Sequence, residues 1–459
     1  MSRVAFAKIT CVLLWAPGRA LAHAAEGGFV LLLPTDIYIA AGVATVALTV
    51  IALAFLPGRI VSALFRPLLR LRVPALPVRH VTRIGALGAL LVLLWQGVAG
   101  PRDPVSNPLV LTIWVFWWIG LVTVQGLVGD VWRWINPWLG VTTLTGYRRI
   151  WKYPKAWSYW PAVLGLLLFS GFLLADIAPT DPGRLASAVA IYFLVSLAGL
   201  YAFGPVWLLR AEAVSVLMRA FAGIAPVVRC GRQVEFGLWG WRRVAAPAPA
   251  LSLAVVMVLL LGLGSFDGLN ETFWWIGVIG LNPLEFTGRS AAQWQNLTGL
   301  LLASAALLLV FWSGLWAGAQ FSDDPRPSTL LFRLYAPTLL PIALGYHIAH
   351  YLTAALVEAQ YLWKWLDDPM GTGLHWLGQQ EFQVTTGFFN RQDSVELIFL
   401  MQAGAVVLGH VVAILMAHAI ALRATGSHRV AVLGQLPLAL FMIAYTFLGL
   451  WLLATPRGL

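Results

Sequence analysis

Charge is scarce in this chain. Asp, Glu, Lys and Arg make up 11% of its 459 residues, with 19 acids against 30 bases. Hydrophobic residues reach 60% and mean hydropathy is +0.80, a composition that excludes a water-soluble globule. Cysteine is scarcer still, at two residues, so no disulfide framework is possible. Cys11 and Cys230 are both expected to stay unpaired. No phosphate-cradling glycine loop, dinucleotide fingerprint, GxSxG elbow or paired CxxC is present. None of those familiar chemistries is signalled.

What is present is a series of long apolar runs. The first has the form of a secretory signal over residues 1–22: Arg3 and Lys8, an apolar core from Ile9 to Ala16, and Ala20-Leu21-Ala22 before the cut. Residues 23–459 then read as one transmembrane domain. Ten spans are expected, near 34–56, 84–99, 108–129, 159–176, 186–209, 248–265, 297–319, 334–357, 394–421 and 429–453. Each is close to the length a bilayer of about 30 Å requires. The fold class is therefore all-α: a polytopic integral membrane helical bundle of about ten transmembrane helices, with the lipid bilayer as its main partner.

The basic residues give the bundle a direction. With a cleaved signal, the mature amino terminus is outside and the loops alternate. Twenty-one Lys and Arg then fall in the five inner loops, six fall outside and three lie in the signal. That asymmetry is the positive-inside rule. It predicts a bacterial inner-membrane protein with both mature termini periplasmic, and it accounts for the net charge of +11 without a nucleic-acid partner. The inner loop 130–158 interleaves Trp and Tyr with cations, as in WRWINPW and GYRRIWKYPKAW, and reads as an interfacial anchor. The outer loop 358–393 mixes aromatics with Asp367, Asp368, His375 and Glu381, and joins two histidine-bearing spans. Another outer stretch, SFDGLNETFWWIGVIGLNPLEF, suits a short re-entrant or interfacial helix.

Histidines inside apolar spans are the chemical signal. Leu334–Val357 lacks Lys, Arg, Asp and Glu yet holds His347 and His350, and a spacing of three puts both imidazoles on one helical face. The next span holds His410 and His418. Ionisable groups at such depths mark functional sites by default. Their simpler role is to hydrogen-bond neighbouring helices, which is the reading for His418. At about 1.5 Å per residue, His347 and His410 lie within about 6 Å of one another in depth. His347, His350 and His410 are the expected ligands of a divalent metal, Zn²⁺ or Cu²⁺. Glu358, Glu396 and Asp267 mark the outer mouth as base or supporting carboxylates. Cleavage after Ala22 would also expose His23, whose α-amine and imidazole can clamp copper.

Several segments carry a resemblance: AHA at 22–24 followed by LPTDIYIAAG, SFDGLN at 265–270, PIALGYHIAHY at 341–351 and LGHVVAILMAHAIAL at 408–422. Together they resemble a family of bacterial polytopic membrane proteins known as fenitrothion hydrolases. The resemblance implies hydrolysis of organophosphorus triesters, lipophilic small molecules that partition into a bilayer. A bound metal would activate water and stabilise the phosphoryl group. Two other readings stand beside it: a periplasmic-side copper or metal transporter, and a membrane subunit of a redox or transport complex.

Overall fold

The computed structural model describes residues 30–458 except 31, 75–77, 148, 286–287, 370–372 and 379–381. The expected signal segment and His23 lie outside the described residues. Helices dominate: α1 (Thr35–Phe55), α2 (Arg79–Ala99), α3 (Pro108–Leu127), α4 (Trp160–Ala175), α5 (Pro182–Phe203), α6 (Ala213–Ala222), α7 (Leu251–Leu269), α8 (Arg289–Ser322), α9 (Ser328–Asp367), α10 (Gln392–Thr425) and α11 (His428–Ala454). Among the described residues, all but α4 and α6 are long and apolar enough to cross a membrane, which makes nine. α4 has the same apolar character over 16 residues. Large apolar side chains such as Leu48, Leu168, Leu194 and Leu302 are exposed in mid-helix. That surface is compatible with a multi-pass membrane protein and costly in water.

Local chemistry sets several starts. Asn107 and Asp181 cap α3 and α5 through their side chains, each followed by a proline at the first helical position. Helix ends differ from expectation where polar residues find partners. α7 runs four residues beyond the expected span and carries Asp267 inside it. α9 runs ten residues further, so Glu358 sits on a helix rather than in a loop. Within α3, Leu111–Leu121 is π-helical, a wide winding that periodicity does not reveal.

α9 and α10 lie almost in backbone contact. A Cβ on Gly345 would come within 2.4 Å of the Ala405 carbonyl, and one on Gly409 within 2.6 Å of the Pro341 carbonyl. Small residues allow this approach, and Gln402 Nε2 locks it by donating to the Ala349 carbonyl at 2.8 Å. Among the described residues, α7 is the most buried of the nine helices long enough to span, so polar groups on it face protein.

Three short strands were not expected. β1 (Leu69–Arg72) pairs antiparallel with β3 (Gln233–Phe236), which also pairs with β2 (Val227–Cys230). Each strand has four residues, too few for a period-two pattern to stand out. The 130–158 segment divides in two: Trp132 and Trp138 are buried, whereas Tyr147, Ile150, Trp151 and Trp157 are exposed.

Candidate functional site

Asp267 lies two residues before the end of α7 and is 6% exposed. A buried carboxylate must be paired or hydrogen-bonded to persist. α9 supplies the partners. His350 Nε2 lies 3.3 Å from Asp267 Oδ2, and the Tyr351 hydroxyl donates to the same oxygen. Because a carboxylate only accepts, the imidazole in this pair carries its proton on Nε2. Nδ1 is then the basic nitrogen, and it has no hydrogen-bond partner.

Aromatic rings wall the pair in. The Tyr346 and His350 rings stack with an interplanar angle of 9° at 6.0 Å, and the Tyr351 ring lies 4.7 Å from His350 and 4.9 Å from His347. Trp118, from the π-helical stretch of α3, meets His347 edge-on at 5.2 Å. Gly268 completes the arrangement. A Cβ there would lie 1.8 Å from the Tyr346 hydroxyl and 3.6 Å from His350 Nδ1, so only glycine leaves that space open.

These groups line one cavity. It offers about 30 Å³ to the centres of water molecules and is bounded by Trp118, Asp267, Tyr346, His347, His350 and Tyr351, with leucines and phenylalanines completing the wall. That is room for about two waters. His347 Nε2, His350 Nδ1 and the Tyr346 hydroxyl are all buried without a partner. Leaving each unpaired costs on the order of 1–3 kcal/mol, so three on one cavity point to an occupant that satisfies them.

The expected site residues separate into two groups. Asp267, His347 and His350 come together at the cavity. His410 does not line it: its Nδ1 pairs with the Val406 carbonyl of its own helix at 2.9 Å, and its Nε2 is buried and unpartnered. Glu396 accepts a 2.7 Å hydrogen bond from Tyr38 on α1, and Glu358 is half-buried further along α9. His418 packs against the His428 ring at 5.7 Å. Among the described residues, no three His, Cys, Asp or Glu side chains are grouped to hold a metal ion. Asp267 and His350 could supply two ligands, which fits a metal only in part.

Tyr346, Tyr351, Trp118 and Gly268 were not singled out from sequence. The tyrosines had a signal: Tyr346 is four residues before His350 and Tyr351 four after His347, the spacing of stacked helical neighbours. Trp118 had none, since it arrives from a distant helix. No protein-family model, curated protein or solved structure matches the chain at a significant level.

Proposed function

We propose that the chain is an integral-membrane hydrolase in which Asp267 and His350 activate a water molecule against a lipophilic ester. The observation that carries this reading is the carboxylate–imidazole pair with its basic nitrogen, His350 Nδ1, buried and unpartnered beside a water-sized cavity. Asp267 fixes the tautomer and stabilises the imidazolium formed when Nδ1 takes a proton. The water oxygen bonds to the electrophilic centre, the leaving group departs with the bonding electrons, and His350 returns the proton to it. Tyr346 and His347 are placed to donate to charge developing on the reacting centre. The resemblance noted above supplies the substrate class, organophosphorus triesters. Such a molecule is larger than the cavity, so part of the apolar wall must move to admit it.

Metal handling is the second reading, favoured by the unpartnered imidazole nitrogens of His347, His350 and His410. Zn²⁺ or Cu²⁺ would then be cargo. On that reading, detergent-purified protein carries metal that His347→Ala and His350→Ala remove. Elemental analysis that finds metal-free protein turning over ester at full rate contradicts it.

Orientation in the bilayer has its own test. Cys230 is exposed at the end of β2, in a loop read as cytoplasmic. A membrane-impermeant maleimide is expected to leave it unlabelled in intact spheroplasts and to label it after permeabilisation. Equal labelling in both would reverse the orientation. The inner-membrane location and the periplasmic mouth of the site rest on this orientation.

A further inference from the structure

Arg243 lies on the short helix Trp241–Ala245, and among the described residues its guanidinium has no anionic partner. Its Nε is buried without any hydrogen-bond partner, and its one hydrogen bond is a long one, from Nη2 to the Arg219 carbonyl at 3.5 Å. Arg219 is itself engaged with carbonyls, those of Ser215 and Leu209. Its charged neighbours, Arg242 and Arg219, are both cations. Burial pushes the guanidinium down to about 10, and the charges of Arg242 and Arg219 act in the same direction.

An arginine stays charged in proteins, so burial without an anion is costly. The end of α6 offers partial relief, because free carbonyls at a helix C-terminus attract cations. Yet only one carbonyl is contacted, at a weak distance. Gly223, the residue that ends α6, holds the space open: a Cβ there would lie 2.2 Å from Nη2 and 2.4 Å from Nε. With Nε unused, Nη1 unbonded among the described residues and the side chain only half-buried, the guanidinium keeps part of the planar fork that binds phosphate oxygens in pairs.

We propose that Arg243, with Arg219 beside it, binds a phosphate group. Two sources share that chemistry, the headgroup of an anionic phospholipid and free phosphate. This end of the bundle carries the dense basic loops, which is where anionic headgroups concentrate. The site is separate from the Asp267 cavity and does not depend on the hydrolase reading.

The test uses the full chain purified in detergent. Native mass spectrometry with phosphatidylglycerol measures the lipid source, and the shift in melting temperature with inorganic phosphate measures the free one. Arg243→Gln is expected to weaken binding at least tenfold, with Arg242→Gln, at an exposed position, within twofold of the original protein. Lipid retention without a phosphate response assigns the headgroup, and a phosphate response without lipid retention assigns the free anion. If Arg243→Gln does not fold, Arg243→Lys keeps the charge, loses the fork, and is expected to bind several-fold more weakly. Binding unchanged in the folded variant, or absent from the original protein, would overturn the proposal and leave Arg243 as a helix cap.

Discussion

Asp267→Asn is expected to lower ester turnover by about 10³- to 10⁴-fold while leaving the fold intact, the scale seen when a catalytic histidine loses its carboxylate. Asparagine matches the shape of aspartate but has one accepting oxygen and an NH₂ that only donates. Two donors now converge on that carboxylate, His350 Nε2 and the Tyr351 hydroxyl. With its oxygen at the Oδ2 position a neutral amide still accepts both hydrogen bonds but no longer stabilises the imidazolium. Turned the other way, its NH₂ faces Nε2 and favours the tautomer with the proton on Nδ1, the nitrogen meant to accept it. Nitrophenol release by membranes from expressing cells is the measurement, with melting temperature as the control for folding. Asp267→Ala is a harsher change. It leaves His350 and Tyr351 without an acceptor and is expected to destabilise by about 1–3 kcal/mol for each buried donor left unpaired. An Asp267→Asn protein that folds and turns over at the original rate would remove Asp267 from the mechanism.

Gly409→Val is expected to be strongly damaging although it lies away from the cavity. Even one carbon at this position would sit 2.6 Å from the Pro341 carbonyl and 3.3 Å from the Ile342 Cα, and backbone atoms cannot rotate away. α9 and α10 would have to separate, straining the Gln402–Ala349 hydrogen bond and shifting the helix that holds His347, His350 and Tyr351. Overpacking of this kind costs on the order of 3 kcal/mol. A marked fall in melting temperature and in the yield of monodisperse protein is expected. Gly404→Ala on the same helix meets nothing within 4 Å and serves as the neutral control. Equal behaviour of the two variants would show that the close helix contact is not needed.

Much of the fold was legible in the sequence because apolar runs of bilayer length leave few alternatives. Each of the ten expected spans has a helix in the structure, α4 being the short one. Helix ends were less legible. Charged residues were taken to mark the water boundary, yet Asp267 lies inside α7 because α9 supplies its partners, and α9 continues past Glu358 to Asp367. Beyond α9, Asp367 pairs with His375 at 2.6 Å and ties the following segment to the helix end. The strands and the π-helical winding were illegible for other reasons. The strands have only four residues each, and β1 pairs with a strand far along the chain. The π-helical winding is a local change of hydrogen bonding that keeps an apolar helical run and leaves no pattern of its own.

The site was half legible. Depth arithmetic compares levels along helices, but depth says nothing about direction around a helix. Gly345 faces α10, and each residue turns an α-helix by about 100°. His347, two residues on, therefore points away from α10 and toward Trp118. His410 follows Gly409 by one residue and pairs with its own helix instead. The partner that His350 does find, Asp267, was named from sequence as part of an outer mouth. That a tyrosine would share its oxygen and that a glycine would clear the space beside it required the fold.

The most direct test is hydrolysis of a nitrophenyl phosphotriester by the purified full-length protein in proteoliposomes, run in ¹⁸O-labelled water. The expected result is nitrophenol release above that of empty liposomes, with one ¹⁸O atom in each phosphodiester product, placed there by the activated water. Release no greater than from empty liposomes would contradict the assignment of hydrolysis to the Asp267–His350 pair.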